Sequence, residues 1–342
     1  MRWLSLVLFL LIIASVQGQE DFLAKQYFND GEYEKAVVYF EKLVKKNPRR
    51  SDYAEGLVAC YQQLERYSDA ENFLLKKIEE SYAFPTFFIE LGYNYTRQNQ
   101  SDKATEYYEK ALQKIDENPN YGYSVGYRFQ KYALLDEAIK AYTKAMALKP
   151  DLNYDFQLAR IYGEQGDIEK MYQAYLNLIV EGRTSRSNIL RNIDDFISED
   201  ATQPNNVLLR KVLLKNAQKN PDLLWNELLS WLFIQQKQYN NALGQERAIY
   251  KRSEFASMDR LESLGHIALE DKDNATAFKV FEFITENSAD PITTLNAHLE
   301  LINLGLLETS SKTLASAEKE YQELLETYGN QAQTQQLQIA YA

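Results

Sequence analysis

The stretch that decides the fold runs from Leu91 to Ala111, LGYNYTRQNQSDKATEYYEKA. Leu91, Gly92 and Tyr95 fall on one helical face, and Ala104, Tyr108 and Ala111 fall on another, because residues three and four apart share a face. Between them Arg97 to Asp102 is polar throughout, as a short turn between antiparallel helices should be. The segment is a helical hairpin.

On either side the same columns return every 34 residues, at Tyr27, Tyr61, Tyr95 and Phe129, and at Ala36, Ala70, Ala104 and Ala138. Leu23, Leu57, Leu91 and Val125 keep the interval, as do Phe40, Leu74, Tyr108 and Tyr142. Pro85 and Pro119 are one period apart, and Pro48 and Pro150 are three. One period shared by five columns at helical spacing predicts stacked hairpins. Ala or Gly at the eighth position (Ala24, Gly92, Gly126, Ala159) and Ala at the twentieth let two helices approach closely. The aromatic at the eleventh fills the wedge toward the next hairpin. Proline ends the second helix, and Gly31 and Gly166 sit at turns that favour a left-handed backbone.

These columns resemble the tetratricopeptide repeat family, most fully at Leu91-Gly92, Tyr95, Ala104, Tyr108 and Ala111, and nearly as well at Leu23-Ala24, Tyr27, Ala36, Phe40 and Pro48. The resemblance implies an all-α fold, a right-handed α-α superhelix of about nine antiparallel hairpins. Five regular repeats are expected over residues 19–185, with Met171 replacing the alanine column one residue early. A divergent hairpin fills 186–222, with helices near Ser187–Ser198 and Pro204–Lys219. Three degenerate repeats follow over 223–328, the last with a longer turn around Thr309–Lys312. Residues 329–342 begin another helix. Tyr341-Ala342 makes no polar end cap, so the natural protein is expected to continue beyond Ala342.

Composition agrees with this class. The 342 residues include only 13 Gly and 7 Pro, too few for a β-sandwich, a collagen-like rod or a long disordered linker. With 38 Lys and Arg against 49 Asp and Glu the net charge is −11, which disfavours a nucleic-acid partner, since phosphate binding needs a basic surface.

The amino terminus reads as an address. Met1-Arg2 precede an apolar run from Trp3 to Val16, and Val16-Gln17-Gly18 offers small residues where a signal peptidase cuts. As an uncleaved anchor those fourteen residues would span only about 21 Å of a hydrocarbon core about 30 Å thick. A signal peptide over residues 1–18 is expected, with a mature chain from Gln19, no integral membrane segment thereafter, and a periplasmic or cell-envelope location. Cys60 is the lone cysteine, so no internal disulfide forms, which fits a bacterial envelope better than a eukaryotic secreted domain. Its neighbours in a helical pattern make it a packing residue.

Chemistry is sparse. His266 and Glu270 lie one helical turn apart, but zinc needs three or four ligands. Asp271-Lys272-Asp273-Asn274 lacks the Gly and closing Glu of a calcium loop. Asp194-Asp195 and Glu79-Glu80 point to different helix faces, and no phosphate loop or GxSxG elbow occurs. Trp225 and Trp231 are expected to pack inside. No cofactor, metal or enzymatic activity is expected.

What remains is binding. The resemblance implies a concave groove lined by the second, fifth, ninth, twelfth and thirteenth residues of each unit. Carried onto this chain these include Lys25, Tyr93, Arg97, Tyr123, Tyr127, Lys131 and Arg160, a set that suits an acidic or aromatic protein or peptide ligand. Some of these tyrosines could instead fill the space between first helices. The family's chaperone-binding members use a two-carboxylate clamp of Lys and Asn; here Asp21 stands where its first Lys would be and Glu55 is on the next groove helix, so that ligand is not expected. Three functions stay open: an envelope scaffold or adaptor, the repeat arm of a larger protein whose C-terminal part is an enzyme or sensor, and a self-associating structural protein.

Overall fold

The computed structural model describes residues 19–80, 84–253, 257–307, 314–329 and 334–341. The expected signal peptide and the turn at Thr309–Lys312 lie outside them. The chain is all-α, an array of antiparallel helical hairpins with no strand among the described residues. Two compact units divide at Gly166.

The first unit holds α1 (19–29), α2 (Tyr33–Lys46), α3 (Ser51–Gln63), α4 (Tyr67–Ile78), α5 (Thr86–Thr96), α6 (Ser101–Glu117), α7 (Gly122–Lys131), α8 (Leu135–Leu148) and α9 (Asp155–Gln165). Each helix from α2 to α6 packs against the next, α7 packs on α8, and α3, α5 and α7 also pack in series as the first helices of successive hairpins. Ala36, Ala70, Ala104 and Ala138 are buried, with Leu57, Leu91 and Val125.

The small residue at the eighth position has a specific reason. A Cβ on Gly126 would lie 2.5 Å from the Tyr142 ring, and one on Gly92 would strike Tyr108. The second helix of each of these hairpins thus seats an aromatic ring directly on the first helix's backbone, where any side chain would push it off.

The turn inside each hairpin is equally regular. Gly31 and Gly166 have φ +77°, and Glu65, Asn99 and Ala133 hold the same left-handed conformation at φ 56°, 60° and 55°. These are the fifteenth residues of their units. At Gly31, Glu65, Asn99 and Ala133 the next amide donates back to the carbonyl of the eleventh residue, as in Arg66 N to Tyr61 O (2.8 Å) and Leu134 N to Phe129 O (3.0 Å), the Schellman closure of a helix end.

On the flank of the unit, Tyr27 stacks on Tyr39 with centroids 5.6 Å apart, and Lys35 and Lys42 each lie 5.3 Å from one of the two rings. Tyr95 and Tyr107 repeat the stack at 5.6 Å, with Lys103 and Lys110 over them at 5.0 and 4.4 Å. Cys60 is buried, and burial pushes its thiol up to about 12.

The second unit holds α10 (Ile168–Val180), α11 (Arg186–Asp194), α12 (Pro204–Lys219), α13 (Leu223–Gln235), α14 (Tyr239–Arg252), α15 (Asp259–Glu270), α16 (Asn274–Asn287), α17 (Pro291–Leu307), α18 (Leu314–Tyr328) and α19 (Gln335–Tyr341). The α13–α14 and α15–α16 hairpins pack most closely, and Phe281 covers Gly265 as Tyr108 covers Gly92. Lys237 and Lys272 take the left-handed turn position, at φ 52° and 65°.

Helix α11 ends at Asp194, four residues short of the Ser198 expected from sequence. The cause is Asn206, fully buried on α12, whose Nδ2 donates to the carbonyls of Ser198 (2.8 Å) and Asp200 (2.6 Å) and whose Oδ1 accepts from Ser198 N (3.3 Å). That side chain meets backbone groups which a continued helix would satisfy itself. Helix α12 packs on α10 and α13. Trp225 is buried and donates to Asn220 O at 2.8 Å, whereas Trp231 lines an open cleft, which corrects its expected interior placement.

Candidate protein-binding site

The expected groove residues separate into three places. Lys25 is exposed on α1 and pairs with Asp21 one turn away at 2.9 Å. Tyr93 on α5 stacks on Tyr132, centroids 3.9 Å apart and planes within 12°. Arg97 lies beside the hydroxyls of Tyr93 and Tyr67, which raise its pKa above the ordinary arginine value.

Tyr123, Tyr127, Lys131 and Arg160 come together. On α7, Tyr123, Tyr127 and Lys131 are successive residues of one stripe at intervals of four, as Phe156, Arg160 and Glu164 are on α9. Gly122 and Gly126 sit on the packed side of α7, under Ala145 and Tyr142, so the stripe of rings is left facing out. Tyr123 and Tyr127 are 50% and 57% exposed and stack nearly parallel, centroids 6.0 Å apart. The two stripes, with Gln130 and Gln157, bound a cleft of about 380 Å³. Among the described residues neither Lys131 nor Arg160 makes a salt bridge or side-chain hydrogen bond. Two cations without ion pairs beside half-exposed rings, in a chain of charge −11, can receive carboxylates and apolar groups together.

The same unit holds a network not anticipated from sequence. Glu90 on α5 is fully buried, and Arg128 on α7 donates to it at 2.6 Å while also pairing with Glu55 on α3. Tyr132 donates to the other Glu90 oxygen at 2.6 Å, and Thr86 to Glu55 at 3.2 Å. Burial raises the pKa of the Glu90 carboxyl, with the Arg128 charge and the Tyr132 hydroxyl opposing the rise. One guanidinium thereby joins the first helices of three successive hairpins. The available signal was a lone acid inside the apolar run Phe87-Phe88-Ile89-Glu90-Leu91.

Among the described residues no group of three His, Cys, Asp or Glu is placed to hold a metal, and no helix is long and apolar enough to cross a membrane.

Fold and site together define an α-hairpin repeat protein with an exposed aromatic and basic face. The tetratricopeptide repeat family matches residues 23–49 and 86–113. A TPR repeat-containing protein of Methanocaldococcus jannaschii is 25% identical, over 94% of this chain and 58% of the relative's own length. A thermophilic TPR protein of Thermus thermophilus is similar in structure at 16% identity, covering 52% of this chain and 97% of that one, with a TM-score of 0.31. MamA is similar at 19% identity over 58% of this chain and 96% of its own, with a TM-score of 0.27. Repeats of this kind stack into extended surfaces that such proteins use for binding.

Proposed function

We propose that the chain is a non-enzymatic adaptor that captures an acidic segment bearing aromatic or large apolar side chains in the cleft between α7 and α9. The observation that carries this reading is the meeting of Tyr123, Tyr127, Lys131 and Arg160 on one cleft without ion-pair partners for the two cations. Aromatic and arginine side chains are the types that dominate binding hot spots, and a segment with carboxylates matches the local charge. Selection of a displayed random peptide library against the chain from Gln19 onward tests it. Peptides with Asp or Glu next to Phe, Tyr or Trp should be enriched, and Tyr127→Ser with Arg160→Ser should weaken them at least about tenfold. Enrichment of basic peptides, or binding indifferent to the double substitution, would refute the assignment.

We further propose export to the bacterial cell envelope, on the strength of the charged start, the apolar run to Val16 and the small residues at the expected cut. N-terminal sequencing of the protein from cells should begin at Gln19; an intact Met1 on envelope-free protein contradicts it.

A further inference from the structure

The outer side of the first hairpin carries charge opposite to that of the whole chain. From Lys42 to Arg50 the sequence KLVKKNPRR holds five cations and no carboxylate, in a protein of net charge −11. On α2, at about 100° of rotation per residue, Lys35, Val38, Tyr39, Lys42, Lys45 and Lys46 fall within an arc of about 120°. Ala36, Val37, Phe40 and Leu43 are buried on the opposite side of the helix, which turns this arc to solvent. Its four lysines are exposed, Val38 is 49% exposed, and Tyr39 is half-buried. Glu34 and Glu41 lie outside the arc, at one edge of it.

Packing does not require these cations. The buried columns return at every hairpin, but 34 residues on the same six places hold Asp69, Asn72, Phe73, Lys76, Glu79 and Glu80. Four lysines against no acid become one against three. Local pairing does not consume them either. Lys46 pairs with Glu20 at 2.6 Å and Lys35 with Glu32, but among the described residues Lys42 and Lys45 meet no carboxylate, and Lys42 lies over the Tyr39 ring. Just past the helix, Arg50 is held by Asp52 and Arg49 is exposed.

We propose that this face docks the chain on a bilayer surface containing anionic phospholipid, with α2 lying along the headgroups. The lysine amines meet the phosphates, and Val38 and the Tyr39 ring enter the boundary between headgroups and acyl chains. The outer side of a single helix is convex and encloses no extended acidic segment, whereas a bilayer deforms around it and receives both the charges and the apolar residue. A nucleic-acid backbone matches the amines but gives Val38 nothing to enter. Acids elsewhere on the chain, beyond about 8 Å, are screened at physiological ionic strength, so the local patch governs the contact. The contact is peripheral, made without a spanning helix among the described residues. It rests on neither the α7–α9 cleft nor export, and each can fail without the others.

The probe is vesicles of phosphatidylglycerol and phosphatidylcholine in equal parts, sedimented with the chain from Gln19 onward, which keeps every described helix and leaves out the apolar run. Half of the chain should sediment at an accessible lipid concentration on the order of 0.1 mM in low salt, the strength that about five cations near the surface supply. Vesicles of phosphatidylcholine alone should leave it in solution, and salt raised to about 0.5 M should release it. Lys42→Gln with Lys45→Gln should weaken binding about 25-fold, at about fivefold for each lysine, while Lys103→Gln with Lys110→Gln on α6 should change it by less than about twofold. Val38→Ser should weaken binding to vesicles about threefold and leave any binding to a short DNA duplex unmoved. Far-ultraviolet circular dichroism should show the same helicity in every variant; if one unfolds, the dependence of the unaltered chain on phosphatidylglycerol content and salt decides. The proposal is overturned if sedimentation does not rise with phosphatidylglycerol, if the α2 and α6 pairs act alike, or if the duplex or polyglutamate binds as tightly as the vesicles.

Discussion

Arg128 reaches from α7 to the fully buried Glu90 of α5 at 2.6 Å, and the same guanidinium engages Glu55 on α3. Removing the cation strands a carboxylate in the interior. Arg128→Leu should lower unfolding free energy by about 3–5 kcal/mol in urea titrations at neutral pH. Glu90→Gln in that background should restore part of the loss.

The same pair sets a pH signature. Burial raises the folded-state pKa of Glu90 above its unfolded value, so the folded state binds the extra proton, and the contribution of this group falls as pH rises through the raised pKa. Without Arg128 the rise is larger. The Arg128→Leu deficit should therefore shrink on acidification from neutral pH toward the ordinary carboxylate range, and a deficit that grew on acidification would contradict the assignment.

Two helical glycines should respond in opposite directions to alanine. At Gly126 the new Cβ would meet the Tyr142 ring at 2.5 Å, so Gly126→Ala should cost about 1–3 kcal/mol. At Gly244 on α14 nothing lies within 4 Å, and Gly244→Ala should stabilise by about 0.5–1 kcal/mol through helix propensity alone. Thermal unfolding of the two variants side by side gives the comparison.

Ala133 and Lys237 hold left-handed backbone at φ 55° and 52°, where a Cβ crowds the following carbonyl. Ala133→Gly and Lys237→Gly should each raise stability by about 1 kcal/mol, measured by the urea midpoint at unchanged slope.

Cys60 should be inert while the chain is folded, since burial holds its thiol at about 12. A thiol-specific chromogenic reagent at pH 8 should label it only after urea is added; rapid labelling of the folded chain would place the side chain nearer the surface.

The hairpin period was legible because each column is a steric demand repeated along the array, small residue against ring and ring against ring. The turn was half legible. Gly31 and Gly166 announced a left-handed residue, but Glu65, Ala133 and Lys237 adopt it under tertiary compulsion that no propensity reveals. The end of α11 depended on Asn206, twelve residues further along, and side-chain reach of that kind leaves no local pattern. At the site, helical spacing sufficed to bring Tyr123, Tyr127 and Lys131 onto one stripe. It could not place Arg160 against them, or withdraw Tyr93 into its stack on Tyr132, because those are relations between helices.

The flanking stacks have a consequence for the length of the array. Tyr27, Lys35, Tyr39 and Lys42 recur as Tyr95, Lys103, Tyr107 and Lys110, each 68 residues on, while the hairpin between has Asp69 and Phe73 at two of these places. Over the first three hairpins the flank therefore alternates although the core repeats at every hairpin. Removing the second hairpin would set the two decorated flanks side by side, and it would also take away Glu55, one of the two carboxylates that Arg128 holds.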